Sequence, residues 1–403
     1  MKYQKMVVLV LAAMMLNTVT AQNQGRSIGR GYSQKLLDQE KHFDDLKKSN
    51  GEKYGNKEIS VEIAIGKMVD IYLDNTSRTV EIKTWDEPKV KISTVVYFDG
   101  SMSKLNSESW FDKLNIKTKL LGNSLRIKTD ALTNGNNSSS ASSNNAISQD
   151  VVEVYSVDGQ YIKSEPAKKR VVTIYVPKEN KLNLETKYAD VAITDYLKKL
   201  NVDITNGNLE LDNVNTLSLR SKYANVAIKE VQGGEIDFIN GKLEINILGD
   251  VELDTKYATV EIISAKMLHF KSTNDIYELE EVTALQGAKN YGSLRIMKLN
   301  QSIQLDGTNA DIKIKNMAAE VSSIWIDNKY ADLRLPLKNI KNFSLSYDGT
   351  YSTIYKNFTT SKENDESRIT TGDNQNSKYT ATVGNCKDTK INIKCQNCTV
   401  DFK

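Results

Sequence analysis

The chain has 403 residues, enough for two or three ordinary domains or for one long repeat. Its 54 Lys and Arg residues against 51 Asp and Glu leave a formal charge of +3, which gives a nucleic-acid partner no electrostatic support. With two histidines and three cysteines, there is little material for metal centres or for catalysis that needs an imidazole.

Residues 1–21 read as a secretory signal peptide. Lys2 and Lys5 precede an apolar run from Met6 to Leu16, and Val19-Thr20-Ala21 fits a small-residue cleavage site before Gln22. The run is shorter than the roughly 20 apolar residues of a membrane span. No other transmembrane stretch follows, so the mature chain is expected to be exported to the periplasm, the outer surface or the medium. Losing Lys2 and Lys5 lowers its charge to +1. Residues 22–57 form a charged arm that contains His42. Within it, Leu36, Leu37, Phe43 and Leu46 have helical spacing, so Ser33 to Lys48 is expected either as a short helix over the first open edge or as a flexible arm.

From about Glu58 to the end the pattern is β. Ile71 and Leu73, the turn ending at Ser77, then Val80 and Ile82 set a frame. Trp85-Asp86-Glu87-Pro88 reads as a turn, Val90 and Ile92 as the start of a strand, and Gly122 to Ile127 as another. Residues 133–150 are low-complexity and polar, and are expected to bulge out as a mobile insertion, the alternative being a linker between two domains. Val151–Tyr155 and Val171–Val176 are predicted strands.

The regular part follows. Lys187-Tyr188-Ala189-Asp190-Val191 returns around Tyr223, Tyr257, Tyr291 and Tyr330, and the first four tyrosines are 35, 34 and 34 residues apart. Asn206, Asn240 and Asn274 stand midway, so the step is about 17 residues; it stretches to 21 toward Tyr330 and Tyr351. Apolar residues fall six and four before most of these anchors (Leu182 and Leu184 before Tyr188) and three, five and eight after most of them (Leu209, Leu211 and Val214 after Asn206). Spacing by two predicts strands with one buried face, and a short fixed period predicts stacking. About five inward side chains per step, at roughly 1.5–3 kcal/mol each, make one step weak and a stack of ten stable. The expected architecture is all-β: a right-handed parallel β-solenoid over 58–403. Asn206-Gly207 and Asn240-Gly241 supply turns with positive φ; a hairpin at these pairs is rejected because the flanking strands recur in one order.

Beyond Tyr351 the period breaks. Residues 359–377 are polar and are expected as a second mobile insertion. Lys378-Tyr379 resembles an anchor, and Ile391, Ile393, Val400 and Phe402 restore the frame around Asn397. Cys386, Cys395 and Cys398 leave room for one disulfide and one free thiol, stapling the last turn. Cys395-Gln396-Asn397-Cys398 lies across a predicted β turn and not at a helix start, which argues against redox chemistry.

The run Val172 to Pro177, then Leu182 to Thr186, the anchor turn and Val191-Ala192-Ile193 resembles the bacterial adhesin-like β-strand-repeat domains, also known as the head domain of putative autotransporter adhesins. The resemblance covers roughly 58–403 and implies an exported, adhesin-like β-repeat protein. The sequence departs from the family by placing Lys-Tyr-Ala where glycine is usual in every other turn.

Chemistry-bearing residues are sparse. His269 lies on the outward side of a strand. Asp190 and Asp332 occupy the turns, but Asn225, Thr259 and Ser293 take that place between them, so no acidic ladder is expected for a lyase or glycosidase. The tyrosines Tyr188, Tyr223, Tyr257, Tyr291 and Tyr330, accompanied by lysines such as Lys187 and Lys222, form the one candidate surface. It is either a stripe that binds a glycan or an envelope or surface protein, or a shield over the turns alternating with asparagines that hydrogen-bond along the stack. The expected function is a non-enzymatic, adhesion-like or cell-envelope binding scaffold without cofactor or metal. The alternatives are a carbohydrate-active enzyme on the same coil and a purely structural periplasmic protein.

Overall fold

The structure, a computed structural model, describes residues 54–99, 107–130, 151–155, 161–166, 172–360, 362–368, 376–385 and 389–402. The signal peptide, nearly all of the charged arm with its expected helix, and the 133–150 insertion lie outside the described residues. So does Cys386.

The fold is all-β, with parallel and antiparallel pairing in one sheet. The first half begins with β1 (Tyr54–Ala64), β2 (Asp70–Thr76), β3 (Val80–Trp85) and β4 (Lys89–Asp99). A helix, α1 (Ser107–Lys113), precedes β5 (Ile116–Leu121) and β6 (Ser124–Asp130). Next come β7 (Val151–Tyr155), β8 (Tyr161–Pro166) and β9 (Val172–Pro177). A single β segment of 134 residues, β10 (Lys181–Ile314), carries the regular repeat. It is followed by β11 (Ser323–Lys329), β12 (Leu333–Arg334), β13 (Phe343–Thr350) and β14 (Thr353–Tyr355). The chain closes with β15 (Lys362–Arg368), β16 (Asn376–Val383), β17 (Thr389–Gln396) and β18 (Thr399–Asp401).

Within β10 the chain retraces its path every 17 or 18 residues. Asn201 Nδ2 donates to Asn183 Oδ1 (3.0 Å), Asn225 Nδ2 to Asn208 Oδ1 (3.1 Å) and Arg295 to Glu278 (2.8 Å). At its start β10 pairs in parallel with β2 and β3, placing Leu182 beside Ile71 and Val191 beside Val80. At its end it pairs in parallel with β11, placing Ile303 beside Ile324. Val191, Leu209, Val226 and Leu243 are each at most 2% exposed, as a shared inward column requires. Val214, Val231, Leu248, Val282, Leu299 and Met317, eight after their anchors, are buried as well.

Parallel pairing does not run throughout, and this differs from the sequence expectation. Both ends of the parallel stack are finished by antiparallel strands: β5 on β6 and β4 on β9 at one end, β16 on β13 and β15 on β16 at the other. Such strands cover edges that would otherwise invite strand addition. The expected mobile insertion at 359–377 contains β15, and Tyr379 is a buried residue of β16 opposite Tyr347, not a turn anchor. A helix that the sequence pattern does not predict, α1, buries Trp110 and Phe111 beside β1 and β5.

The order of turns in space departs from the order in sequence. β2 and β3 lie between β10 on one side and β6 and β9 on the other. At the far end β17 lies between β11 and β13, and β18 between β12 and β14. The last strand pair of the chain is therefore threaded between two earlier turns.

Candidate functional site

Each anchor is a single residue in the left-handed region. Tyr188, Tyr223, Tyr257, Tyr291, Tyr330 and Tyr351 have φ between 50° and 62°, and Asn206, Asn240, Asn274, Asn309 and Asn397 between 52° and 61°. One such residue turns the corner and the strand resumes at once, so β10 runs through its turns unbroken; Gly241 and Gly292, directly after their anchors, have positive φ as well. Glycine follows some anchors because the stack is tight there. A Cβ on Gly241 would stand 1.9 Å from the Ala224 carbonyl oxygen of the turn below.

The residue two before the anchor faces inward and closes the turn from inside. Asn75 donates to the Arg78 carbonyl (2.8 Å), Asn328 to the Ala331 carbonyl (2.8 Å) and Ser272 to the Asp275 carboxylate (2.6 Å). In the last turn a disulfide joins the same two positions, Cys395 and Cys398.

The threaded C-terminal turn has a consequence at this edge. In sequence Tyr330 and Tyr351 are consecutive anchors. In space Asn397 stands between them: Tyr330 N donates to Gln396 O and Asn397 N to Thr350 O, both at 2.9 Å. Tyrosine and asparagine therefore alternate from Tyr188 to Tyr351 without a break. Parallel strands lie about 4.8 Å apart, so successive tyrosines are about 10 Å apart along one edge.

Tyr188, Tyr223, Tyr257, Tyr291 and Tyr330 are 53–61% exposed. Among the described residues, none of these five makes a side-chain hydrogen bond or ring contact. Two of the neighbouring lysines turn back to strand carboxylates, Lys187 to Glu185 (2.6 Å) and Lys256 to Asp254 (3.9 Å). The anchor asparagines likewise have free side-chain amides among the described residues. The hydrogen-bonded ladder expected of them stands two residues later, where Asp190, Asn208 and Asn225 bond in succession and Asn225 accepts from Lys242 N.

One turn carries a buried polar network that the sequence pattern does not reveal. Asp275 replaces the small residue after the anchor and accepts from Thr255 Oγ1, Ser272 Oγ, Ala258 N and Thr273 N at 2.6–3.0 Å. Tyr277 shares a hydrogen bond with Thr255 (2.7 Å). Lys289 donates to Ser272 Oγ and to the carbonyls of Asp275 and Tyr291 at 2.8–3.0 Å. All five side chains are at most 2% exposed. Burial pushes the Lys289 ammonium down to about 8 against the pull of Asp275, and pushes the Tyr277 phenol up. The network is sealed from solvent and satisfies its own groups, so it locks a turn and presents no reactive group.

Carboxylates also gather on the strands, contrary to the expectation that no acidic row forms. Asp74, Glu185 and Asp203 share an outward row three residues before their anchors, and Arg220 follows. They line a groove of about 790 Å³ together with Lys117, Lys119, Arg126 and Tyr72. Among the described residues no group of three or more His, Cys, Asp and Glu side chains could hold a metal ion, and no helix is long and apolar enough to cross a membrane. His269 is half-buried between Leu268 and Phe270.

No family model matches the sequence, and no curated protein does. Solved structures resemble it distantly. A putative cell adhesion protein from Clostridium sporogenes is 9% identical over 87% of this chain and 99% of its own, with a TM-score of 0.20. A putative lipid binding protein from Parabacteroides distasonis is 13% identical over 69% and 97%, with a TM-score of 0.28. A putative adhesin from Parabacteroides merdae is 12% identical over 69% and 95%, with a TM-score of 0.26. Overlays of this quality establish neither a shared fold nor a shared ligand.

Proposed function

We propose that this chain is an exported, non-enzymatic binding scaffold of the adhesin-like kind, a right-handed β-solenoid that holds the cell envelope or a surface partner through its tyrosine edge. The observation that carries the reading is the alternation at that edge. A bulky residue with positive φ is a backbone outlier that costs on the order of 1 kcal/mol or more. Asparagine adopts the same conformation at lower cost and does so in every intervening turn. Six tyrosines at strained corners, five of them half-exposed and without a side-chain partner among the described residues, call for a reason outside the fold. Contact with a ligand supplies one.

The test is the triple variant Tyr223→Asn, Tyr257→Asn and Tyr291→Asn in the mature chain. It is expected to keep its circular dichroism spectrum and to lose retention on isolated cell envelopes. Retention equal to that of the wild type would remove the edge as the contact surface. Cell fractionation of the untagged protein checks export: the mature form is expected outside the cytoplasm, with residues 1–21 removed.

A further inference from the structure

The chemistry of the same edge narrows its ligand, and this step rests on the proposed function. From Tyr188 to Tyr330, phenol rings and side-chain amides alternate, one of each every two turns, and among the described residues neither kind has a side-chain partner. The near-equal exposure of the first five rings, 53–61%, indicates equivalent settings. The edge is therefore a row of like aromatic rings about 10 Å apart, with a hydrogen-bonding amide halfway between each pair.

We propose that this row binds an extended, neutral β-1,4-linked polysaccharide of the glucan or chitin type, lying along the stack. Such a chain has a two-fold repeat, so its disaccharide length is close to two turns of the stack and one sugar corresponds to each turn. Every second pyranose presents its C–H face to a tyrosine ring, where burial of apolar surface supplies attraction. The sugar between them meets an anchor asparagine such as Asn240 or Asn274, whose amide both donates to and accepts from hydroxyls. The match accumulates over a row of rings, which favours long chains or polymer surfaces over short oligomers. A proline-rich strand, which rises ~9.3 Å per three-residue turn, is the nearest competitor in length. It docks in apolar clefts between aromatic rings, whereas here polar asparagines separate the rings.

The mature full-length chain is incubated with microcrystalline cellulose, with chitin, and with an α-linked glucan whose helical repeat does not fit. Retention on at least one of the two β-glycans, little on the α-glucan, and loss of about tenfold in affinity in the Tyr223→Asn, Tyr257→Asn, Tyr291→Asn variant are expected. A Lys119→Gln, Arg126→Gln variant, altered only at the groove, is expected to bind like the wild type. No retention on either β-glycan, equal retention on the α-glucan, displacement by a polyproline peptide, or unchanged retention of the tyrosine variant would each overturn the proposal. If β-glycans fail while the tyrosine variant still loses envelope binding, the ligand class is wrong and the edge stands. If envelope binding is also unaffected by the variant, the edge itself fails.

Discussion

At the residue scale, two sites separate fold from function. If the tyrosines served only to shield their turns, replacing them with asparagine would expose backbone and lower stability. If they are there for a ligand, the same change relieves strain. Thermal unfolding of the triple Tyr→Asn variant is therefore expected at the wild-type temperature or above it. Asp275 is the opposite kind of residue. Removing it leaves Thr255, Ser272 and two backbone amides without their acceptor inside the core. Asp275→Ala is expected to cost at least about 3 kcal/mol in denaturant unfolding. Lys289 adds a pH signature. Its folded pKa is lowered, so between about 8 and the ordinary lysine value the unfolded chain holds a proton that the folded chain has released. Its contribution is least favourable below about 8 and improves as pH rises through that window. Against Lys289→Met, the wild type is expected to gain stability from pH 8 to pH 10; a constant difference would show that Lys289 is not titrating in the fold. Neither Asp275 nor Lys289 stands out in the sequence. Asp275 follows an asparagine as any turn residue does, and Lys289 occupies an inward position that is polar in some turns and apolar in others.

At the element scale, the strands of β10 were legible because every step repeats the same two-residue alternation, and the anchors were legible because asparagine marks the conformation that tyrosine shares with it. Tight stacking at the corner makes Gly241 a sharp test. Its φ is 139° and an added Cβ would meet Ala224 O, so Gly241→Ala is expected to destabilise by more than about 1 kcal/mol. The threading of β17 was not legible. Sequence order predicts that Asn397 follows Tyr351 at the end of the stack, and only long-range pairing places it between Tyr330 and Tyr351. The charges agree with the threaded position: Lys394 falls opposite both Asp327 and Asp348, and opposite charges across strands stabilise a sheet. A chain ending at Val383 is expected to lose hydrogen-exchange protection in β11 and β13 together. Protection retained in both would mean that β17 is a dispensable end strand. The antiparallel pairing at the two ends and α1 were missed for a related reason, since β5, β15, β16 and α1 do not carry the 17-residue period.

At the scale of the whole molecule, the tyrosine row exists only if successive turns stand one above another in register. A one-step slip or a different return path would scatter the rings. Engineered disulfides read that register directly. Asn208 and Asn225 are neighbours in adjacent turns, with a 3.1 Å hydrogen bond between their side chains. Lys242 is one turn further on, about 10 Å from Asn208, beyond the reach of a disulfide. The decisive measurement is mass-spectrometric mapping of oxidised cysteine-pair variants. An Asn208→Cys, Asn225→Cys chain is expected to form the 208–225 bridge, and an Asn208→Cys, Lys242→Cys chain to form none between its engineered positions. A 208–242 bridge with no 208–225 bridge would contradict the stacking and with it the tyrosine edge.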